Sequence, residues 1–349
     1  MLIKDIQVNL GKRCNNNCLF CVSHHRGEPN VFIKEDRLRQ YIKKYAAKGY
    51  NSLGFLGGEP TIYPDFERVV RYAKEQGFAQ IHVVSNGRRF ADQKLLKRLI
   101  TAGVTRFSVS LHSDDPELED YMTGVPGSFQ QKFQGIKNLA LFRQKGLIKT
   151  NLSINIVLNK LNYKTIRSTI EKFSALGVNN FRINFIRPEG NAWENFKVFV
   201  PRFKLVFKML QDLITRPVLP GITVVFEGIP FCVFKDIPNF LKHVGELRDF
   251  HDMTLVCEDN KGQNNLSGYK GKHLTDSGPY QKLLRLKSSR EDKSFSWKDK
   301  RKNFLKTKPA SCTQCIYDPV CEGVYVNYTS KYGFAEFKPV KDVTRARKK

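Results

Sequence analysis

Three cysteines near the start of the sequence, Cys14, Cys18 and Cys21, have the spacing CxxxCxxC. Thiolates bind soft and borderline metals, so this group predicts a zinc ion or an iron–sulfur cluster. A 4Fe–4S cluster normally takes four protein ligands, and three would leave one iron open to a molecule from outside the chain. Zinc is the alternative, with His24 or His25 as the fourth ligand, and unliganded thiols are another.

A second group, Cys312, Cys315 and Cys321, has the spacing CxxCxxxxxC. Either Cys232 or Cys257 can supply a fourth thiolate, which would close the coordination shell. We expect Cys232, because it directly follows a predicted strand. A closed site maintains structure or carries electrons, as an iron–sulfur cluster or as structural zinc. In a chain without an export signal, metal ligands or reduced thiols explain these cysteines better than disulfides do.

Short β-branched runs alternate with amphipathic stretches as far as residue 214, which is typical of repeated βα units with a parallel sheet. The predicted strands are Ile6–Leu10, Ser52–Leu56, Ile81–Val84, Arg106–Leu111, Leu152–Leu158 and Phe181–Phe185, and the predicted helices are Lys34–Lys48, Pro64–Gln76, Asp92–Thr101, Ser128–Lys145, Tyr163–Leu176 and Arg202–Ile214. Six units predict an α/β fold, a partial (β/α)6 TIM-like barrel. In such barrels the chemistry lies at the C-terminal ends of the strands.

Polar residues follow several of these strands. They are Gly57, Gly58, Glu59 and Pro60 after the second, Ser85 and Asn86 after the third, Ser110 and His112 at the end of the fourth, and Arg187 and Glu189 after the sixth. Glycines let backbone carbonyls approach a ligand, and a carboxylate attracts an ammonium group. Tight turns and an ordinary solvated loop are the alternatives. The convergence of these loops with the first cysteine group predicts one active site.

The first cysteine group, with the aromatic Phe20 before its last cysteine, resembles the cluster-binding loop of the radical SAM superfamily. The resemblance implies that Cys14, Cys18 and Cys21 bind a 4Fe–4S cluster. The open iron is then chelated by the amino and carboxylate groups of S-adenosylmethionine (SAM), with Phe20 near the adenine. It also implies one-electron cleavage of SAM to methionine and a 5′-deoxyadenosyl radical, which takes a hydrogen atom from a substrate.

The same resemblance implies the roles of the other loops. Gly57, Gly58, Glu59 and Pro60 hold the methionyl amino group of SAM, Ser85 and Asn86 lie beside SAM, and Ser110 contacts its carboxylate or ribose. His112 stands where many peptide-modifying members have aspartate, and it contacts SAM or substrate or only caps its loop. Arg187 and Glu189 are candidates for binding substrate. Ser128, in a Gly-Ser-Phe stretch that also resembles family members, is predicted to be a helix N-cap.

The second cysteine group, followed by Gly323, Val324 and Tyr325, resembles the SPASM and Twitch modules that hold auxiliary iron–sulfur clusters. A full SPASM set of seven cysteines is absent, so the resemblance implies one auxiliary 4Fe–4S cluster, bound by Cys232, Cys312, Cys315 and Cys321. We predict the barrel over residues 1–222, the auxiliary module over 223–340 with a basic insertion at 260–308, and a basic tail over 341–349.

The formal charge of +26 favours an acidic substrate or partner, and residues 261–308 contain 14 Lys or Arg against 4 Asp or Glu. A general compositional bias of the source is an equal explanation. The resemblance implies a peptide or small natural product as substrate and a flavodoxin or ferredoxin as reductant. RNA modification and a non-enzymatic electron carrier or scaffold are the alternatives. Without a recognisable signal peptide or bilayer-spanning segment, we expect a cytoplasmic protein with no membrane contact.

Overall fold

The structure is a computed structural model, and it describes residues 3–23, 31–245, 254–257 and 294–341. His24 and His25, the zinc ligands considered above, lie outside the described residues. So do residues 258–293, which make up most of the predicted basic insertion, and residues 342–349 of the predicted tail.

Nine strands form one sheet, in which the first seven run parallel and neighbour one another in chain order. They are β1 (Asp5–Asn9), β2 (Ser52–Leu56), β3 (Gln80–Ser85), β4 (Arg106–Ser110), β5 (Ser153–Leu158), β6 (Asn180–Phe185), β7 (Thr223–Glu227), β8 (Thr254–Cys257) and β9 (Ser294–Ser296). β8 runs parallel to β1, and β9 runs antiparallel to β8. The described strands leave the sheet open between β7 and β9, which confirms the predicted partial α/β barrel.

Helices connect the parallel strands, and each predicted helix is present. They are α1 (Glu35–Ala47), α2 (Phe66–Glu75), α3 (Gln93–Ala102), α4 (Pro116–Thr123), α5 (Ser128–Gln144), α6 (Ile166–Ser174), α7 (Asn191–Glu194), α8 (Phe196–Phe199) and α9 (Phe203–Thr215). The prediction that Ser128 is an N-cap is wrong, because α5 already begins at this residue. The carboxylate of Asp120 accepts hydrogen bonds from the N–H groups of Gly127 and Phe129 at 2.5 and 2.7 Å instead.

The sheet has one apolar and one polar face, because successive side chains of a strand point to opposite sides. In β3, Ile81 and Val83 are fully buried and belong to the main core. Between them His82 points to the other face, where its Nε2 lies 2.9 Å from Oγ of Ser108 on β4. The apolar face therefore carries the packing, and the other face is available for polar chemistry.

The sheet extends beyond the six predicted strands. β7 begins at Thr223, just past the predicted boundary at 222, and pairs with β6 over five residues from Asn180 to Asn184. Its burial pattern has three buried residues in succession, as expected of a strand covered on both sides. β8 adds a strand to the opposite side of the sheet, next to β1.

The last part of the chain packs against the barrel. Its short strands β10 (Lys306–Thr307) and β11 (Val324–Tyr325) pair antiparallel, and a helix follows at Val326–Tyr332. Tyr328 of that helix is fully buried, with its ring 4.9 Å from that of Phe203 and 6.0 Å from that of Phe185. Within the described part of the chain, no helix combines the length and apolarity needed to cross a bilayer.

Candidate functional site

The first cysteine group lies in the loop after β1, and neighbouring elements hold this loop on two sides. The N–H groups of residues 17 and 19 donate to the carbonyls of Thr123 and Met122 at the end of α4, at 2.9 and 3.0 Å. On the other side, Asn191 donates its N–H to the carbonyl of Cys21 at 3.0 Å and its side-chain amide to that of Cys18 at 2.9 Å. The loop is therefore fixed through its backbone.

The three thiols are close enough to influence one another. Burial raises the pKa of Cys18 to about 12, and the charges of Cys21 and Cys14 add to this effect. Burial also raises the pKa of Cys14, where the charges of Glu59 and Cys21 act in the same direction. Buried thiolates that repel one another need a cation between them, and an iron–sulfur cluster supplies it. Among the described residues, no three cysteine, histidine or acidic side chains already surround a position for a single metal ion.

The Gly57–Gly58 pair lets the loop after β2 approach the cysteine loop. The N–H of Gly58 donates to the carbonyl of Gly11 at 2.6 Å, and the N–H of Glu59 donates to that of Arg13 at 2.9 Å. A Cβ atom at Gly58 would overlap the carbonyl oxygen of Arg13. Gly57 has φ of 132°, which favours glycine. Only glycines therefore let these two loops run side by side immediately before Cys14.

The carboxylate of Glu59 joins the loops after β2 and β3. It is fully buried, and one of its oxygens accepts hydrogen bonds from the N–H and hydroxyl of Thr61 and from the hydroxyl of Ser85. The other oxygen accepts from the N–H of Asn86 at 2.6 Å. Pro60 follows as the first residue of a buried 3₁₀ turn. We expected this carboxylate to attract an ammonium group, but it is engaged by four protein donors.

Asn86 completes a ring of contacts back to the cysteine loop. Its side-chain amide donates to Oδ1 of Asn15 at 2.6 Å and lies 3.8 Å from the sulfur of Cys14. The hydroxyl of Ser85 accepts from the N–H of Gly87 at 2.9 Å. The structure therefore brings Cys14, Glu59, Ser85 and Asn86 together, with Ser85 positioning the loop and Asn86 beside the thiol.

Ser110 ends β4 and His112 follows it, and Phe20 of the cysteine loop packs against His112. Phe20 is buried, and its ring meets that of His112 edge to face at 4.9 Å. Nδ1 of His112 accepts the N–H of Val157 at 3.1 Å, so Nε2 carries the proton of the neutral ring. Burial lowers the pKa of His112 to about 4, with Glu119 opposing and Lys132 adding to the shift. Ser110 is half-buried.

Sequence reasoning missed the buried ion pair between Glu119 of α4 and Lys132 of α5. Nζ of Lys132 lies 2.6 Å from Oε1 of Glu119, and both side chains are 0% exposed. The second carboxylate oxygen accepts the N–H groups of His112 and Ser113 at 2.8 and 2.9 Å. Within each helix these charges are typical of a solvent-facing position, so no sequence signal indicated them. Sequence reasoning also missed Asn191, the first residue of α7. It directly follows the Arg187–Glu189 loop, and this position after a strand end is the signal that could have indicated it.

Arg187 and Glu189 form an ion pair with each other, with 3.0 Å between Nε and Oε2. The carbonyl of Pro188 between them accepts the side-chain amide of Asn327, at 2.8 Å, from the C-terminal helix. This loop therefore lies where the barrel meets the last part of the chain, and its role in binding substrate stays a prediction.

The second cysteine group gathers around one cavity. Cys232, Cys312, Cys315 and Cys321 all line it. Burial raises the pKa of Cys232 to about 12, and the charges of the other three cysteines add to it. Cys257 instead belongs to β8, where it pairs with Asn9 of β1. The structure thus places four thiols together and includes Cys232, the residue we preferred as the fourth ligand.

Two charged clusters border the second cysteine group. Nζ of Lys308 donates to the carbonyl and a carboxylate oxygen of Asp318 at 2.6 and 2.8 Å. Glu322, directly after Cys321, is buried and accepts two hydrogen bonds from Arg301 at 2.7 and 2.8 Å and one from Lys306 at 2.8 Å. These pairs fix residues 301–308 to residues 318–322, on either side of the last cysteine.

An open parallel barrel with three thiols after its first strand and glycine-rich and polar loops at neighbouring strand ends defines a cluster-binding class of α/β enzyme. Residues 8–173 match the family model described as the Radical SAM superfamily. These residues are a radical SAM domain.

Individual relatives have different named activities. A probable GTP 3′,8-cyclase of Saccharolobus islandicus (strain M.14.25 / Kamchatka #1) is 33% identical over 213 residues, 60% of this chain and 62% of the relative. An AdoMet-dependent heme synthase of Methanosarcina barkeri (strain Fusaro / DSM 804) is 29% identical over 201 residues, 57% of this chain and 55% of the relative. This chain therefore spans less than two thirds of the length of both curated relatives.

Among solved structures, Streptococcus suis SuiB bound to S-adenosylmethionine matches 98% of this chain and 77% of its own, with a TM-score of 0.60 and 17% identity. The same protein has been solved bound to the precursor peptide SuiA, with a TM-score of 0.57. At this identity the likeness shows the fold alone.

Proposed function

We propose that this protein cleaves SAM reductively and uses the resulting radical to take a hydrogen atom from a peptide or small natural product. One observation carries the proposal: the ring of contacts from the cysteine loop through Gly58, Glu59 and Asn86 back to Cys14. It builds one ligand-binding edge from three strand ends, with the thiols at its centre. A simple electron carrier needs the thiols but has no use for this ring.

The residues at this edge of the sheet have different roles in binding. Cys14, Cys18 and Cys21 hold a 4Fe–4S cluster, and the half-buried backbone of Gly57 and Gly58 accepts the amino group of SAM. When bound, the cluster supplies one electron to the sulfonium of SAM, which yields methionine and a 5′-deoxyadenosyl radical. Asn16 directs its N–H to the sulfur of Cys14 at 3.4 Å, and Asn86 approaches the same sulfur, which stabilises its negative charge.

His112 and Phe20 form the wall of the SAM pocket next to Ser110. Because the pKa of His112 is lowered to about 4, its ring is neutral at pH 7 and does not repel the positive sulfonium. Its Nε2–H and the hydroxyl of Ser110 are then uncharged donors toward the ribose or carboxylate of SAM. The contact with Phe20 fixes the orientation of the imidazole.

We propose that the second cysteine group binds an auxiliary 4Fe–4S cluster through Cys232, Cys312, Cys315 and Cys321. Four thiolates around one cavity support a closed site. Such a site does not bind SAM and serves as an electron route, supplied by a flavodoxin or ferredoxin.

The relatives and the structural neighbours have names that point to different substrates. The curated relatives are named for a nucleotide and for heme, whereas the structural neighbour SuiB is bound to a peptide. The charge of +26 favours an acidic molecule in either case. RNA is a second candidate for the same reason, and it predicts that tRNA stays on the purified protein at low salt and dissociates as salt rises.

The decisive experiment is anaerobic incubation of the cluster-loaded protein with SAM and dithionite. We expect 5′-deoxyadenosine from the wild type, none from Cys18→Ala, and continued production from Cys321→Ala as the matched control. Failure of the wild type to form 5′-deoxyadenosine would contradict the proposal and favour an electron carrier or scaffold. Retention of activity in Cys18→Ala would place the SAM-cleaving cluster elsewhere.

A further inference from the structure

The second cysteine group lies on a more exposed segment than the first. Six of the ten residues 311–320 are exposed, but only two of the residues 11–23 around the first group are. α4 and α7 fix the loop of the first group on two sides, and SAM covers its remaining edge in the proposed function. Because electron transfer slows steeply with distance, a protein that delivers electrons reaches the second group more easily than the first.

A turn over residues 316–320 divides its side chains between the interior and the surface. The N–H of Val320 donates to the carbonyl of Tyr317 at 3.1 Å. The ring of Tyr317 packs inward against that of Phe231, with 5.3 Å between the ring centroids. Ile316 and Val320 are 37% and 48% exposed. Each is adjacent in sequence to a cysteine of the second group, so apolar surface lies directly beside these thiols.

Lysines border this apolar surface. The N–H of Ile316 donates at 2.9 Å to the carbonyl of Val340, which places the exposed Lys338 and Lys341 beside the turn. Lys338 also lines the cavity that the four thiols share. Asp318, the acidic residue of the turn, is already bound by a lysine in an ion pair. The border of the apolar surface is therefore positive.

We call Ile316, Val320, Lys338 and Lys341 the docking face. An apolar centre with a charged rim is the usual anatomy of a protein interface. Two apolar side chains are few for a permanent complex, whereas complexes for electron transfer are small and transient. The lysines attract and orient an acidic partner. The size, the charge and the nearby thiols of the docking face together favour an acidic electron carrier.

We propose that the docking face binds an acidic one-electron carrier protein, of the flavodoxin or ferredoxin kind, and that electrons enter the protein there. The reduced carrier loses one electron, and the site formed by Cys232, Cys312, Cys315 and Cys321 gains it. No covalent bond forms or breaks in this step. The inference rests on the proposed function, in which the second group binds a cluster and the cleavage of SAM consumes one electron.

The first measurement is the Kd of a labelled acidic flavodoxin for the cluster-loaded protein, by fluorescence anisotropy. We expect Val320→Glu and Lys338→Glu each to raise the Kd about tenfold, because each places negative charge against an acidic partner. Added salt should raise the Kd of the wild type, since it screens the attraction between exposed charges. Iron analysis of the same samples shows whether the variants keep their clusters.

Two matched control variants lie between α5 and β5, away from both cysteine groups. Leu147 is 49% exposed, which is close to the exposure of Val320, and Lys149 is exposed like Lys338. Leu147→Glu and Lys149→Glu change the net charge by the same amounts as the docking-face variants. We expect both controls to bind flavodoxin with the affinity of the wild type.

The second measurement compares two reductants in the 5′-deoxyadenosine assay. Reduced flavodoxin must dock, whereas dithionite is small and needs no docking face. We expect Val320→Glu and Lys338→Glu to lower the rate with subsaturating flavodoxin about tenfold, in line with their affinities, and to leave the rate with dithionite unchanged. Cys321→Ala should lose the reaction with flavodoxin and keep the reaction with dithionite.

Unchanged flavodoxin affinity in both docking-face variants, a Kd that does not respond to salt, or an equal loss of rate with both reductants would overturn the inference. So would self-association of the wild type, measured by sedimentation, that Val320→Glu abolishes, because the face would then join two copies of the chain.

A wild type that forms no 5′-deoxyadenosine with dithionite would instead overturn the proposed function, and the flavodoxin affinities would still test the docking face. The two substitutions lie on separate segments and the salt series uses the wild type. Failure of one variant to fold therefore leaves the test in place.

Discussion

The two cysteine regions differ in what holds their thiols and in how many thiols they offer. The first has three, on a loop that the ends of β2 and β3, α4 and α7 fix through backbone and amide hydrogen bonds. The second has four, drawn from Cys232 and from residues 312–321 around one cavity. A missing protein ligand leaves room for a molecule from outside, and a fourth protein ligand removes it. The ligand count and the surrounding loops therefore point to different tasks.

Their charged surroundings differ as well. Beside the first region, Lys132 and its partner are fully buried, so their field is weakly screened. Beside the second, Lys308 and Asp318 are partly exposed, with side chains 23% and 37% accessible. Water and ions screen such a pair. The second region also has a buried pair, Lys306 and Glu322, with side chains 2% and 4% accessible, so weakly screened charges lie beside both regions.

Iron content gives the largest expected difference between the regions. Replacing Cys14, Cys18 and Cys21 together by alanine should remove about four of about eight irons per chain and all SAM cleavage. Cys232→Ala should also lose iron but keep SAM cleavage, whereas Cys257→Ala should lose none. Chemical iron analysis with the 5′-deoxyadenosine assay checks this. Full iron in Cys232→Ala would contradict the four-thiolate site.

A glycine in each region gives the next largest effect. Gly58→Ala forces the two loops apart at Arg13, and a displacement of ~1 Å at a reacting site can lower the rate about a hundredfold. In Gly323→Ala the added Cβ would collide with the carbonyl of Thr307, and position 323 has φ of 89°, which favours glycine. This variant should therefore disturb the second region instead.

We therefore expect Gly58→Ala to lose SAM cleavage with its iron largely retained, and Gly323→Ala to lose iron with SAM cleavage largely retained. Measured side by side, the same effect in both variants would mean that the regions are not separate sites.

The effect of acid on the free energy of unfolding should also differ between the barrel and the second region, but by a smaller amount. Burial lowers the pKa of His82 to about 3, with Arg106 and Arg182 adding to the shift. Its stabilising contribution is complete above the ordinary histidine pKa of about 6.5, and it is lost at up to about 1.4 kcal/mol per pH unit as pH falls from there toward 3. His82→Asn should therefore reduce the acid dependence of barrel unfolding.

The second region should respond only at lower pH. Burial alone would raise the pKa of Glu322, but hydrogen bonds from Arg301 and Lys306 lower it overall. Its contribution is complete above the ordinary glutamate pKa of about 4.3 and is lost as pH falls through the lowered value. Denaturant unfolding between pH 7 and 5 should thus show an acid effect that His82→Asn reduces and Glu322→Gln does not.

The sequence was sufficient to predict the barrel because its strands and helices have clear periodicity and end in recognisable polar loops. It indicated a strand before Cys232 but not the bounds of β7, since Thr223–Glu227 follows the last clear βα unit and its pairing with β6 defines it. Local patterns were also sufficient to predict Cys14, Cys18 and Cys21 as ligands, because these residues lie close together in the sequence. Glu119 and Lys132 were missed because their burial depends on each other, through partners on two helices.

The burial of Tyr328 has a consequence for how this protein is made. Phe203 of α9 packs against Tyr328 and Phe337, with ring centroids 4.9 and 5.5 Å apart. A chain that emerges from the ribosome starting at its first residue has completed β1 to β7 long before residue 337 is synthesised. Until then Phe203 lacks its contacts with Tyr328 and Phe337, so the nascent barrel exposes apolar surface of the kind that favours aggregation.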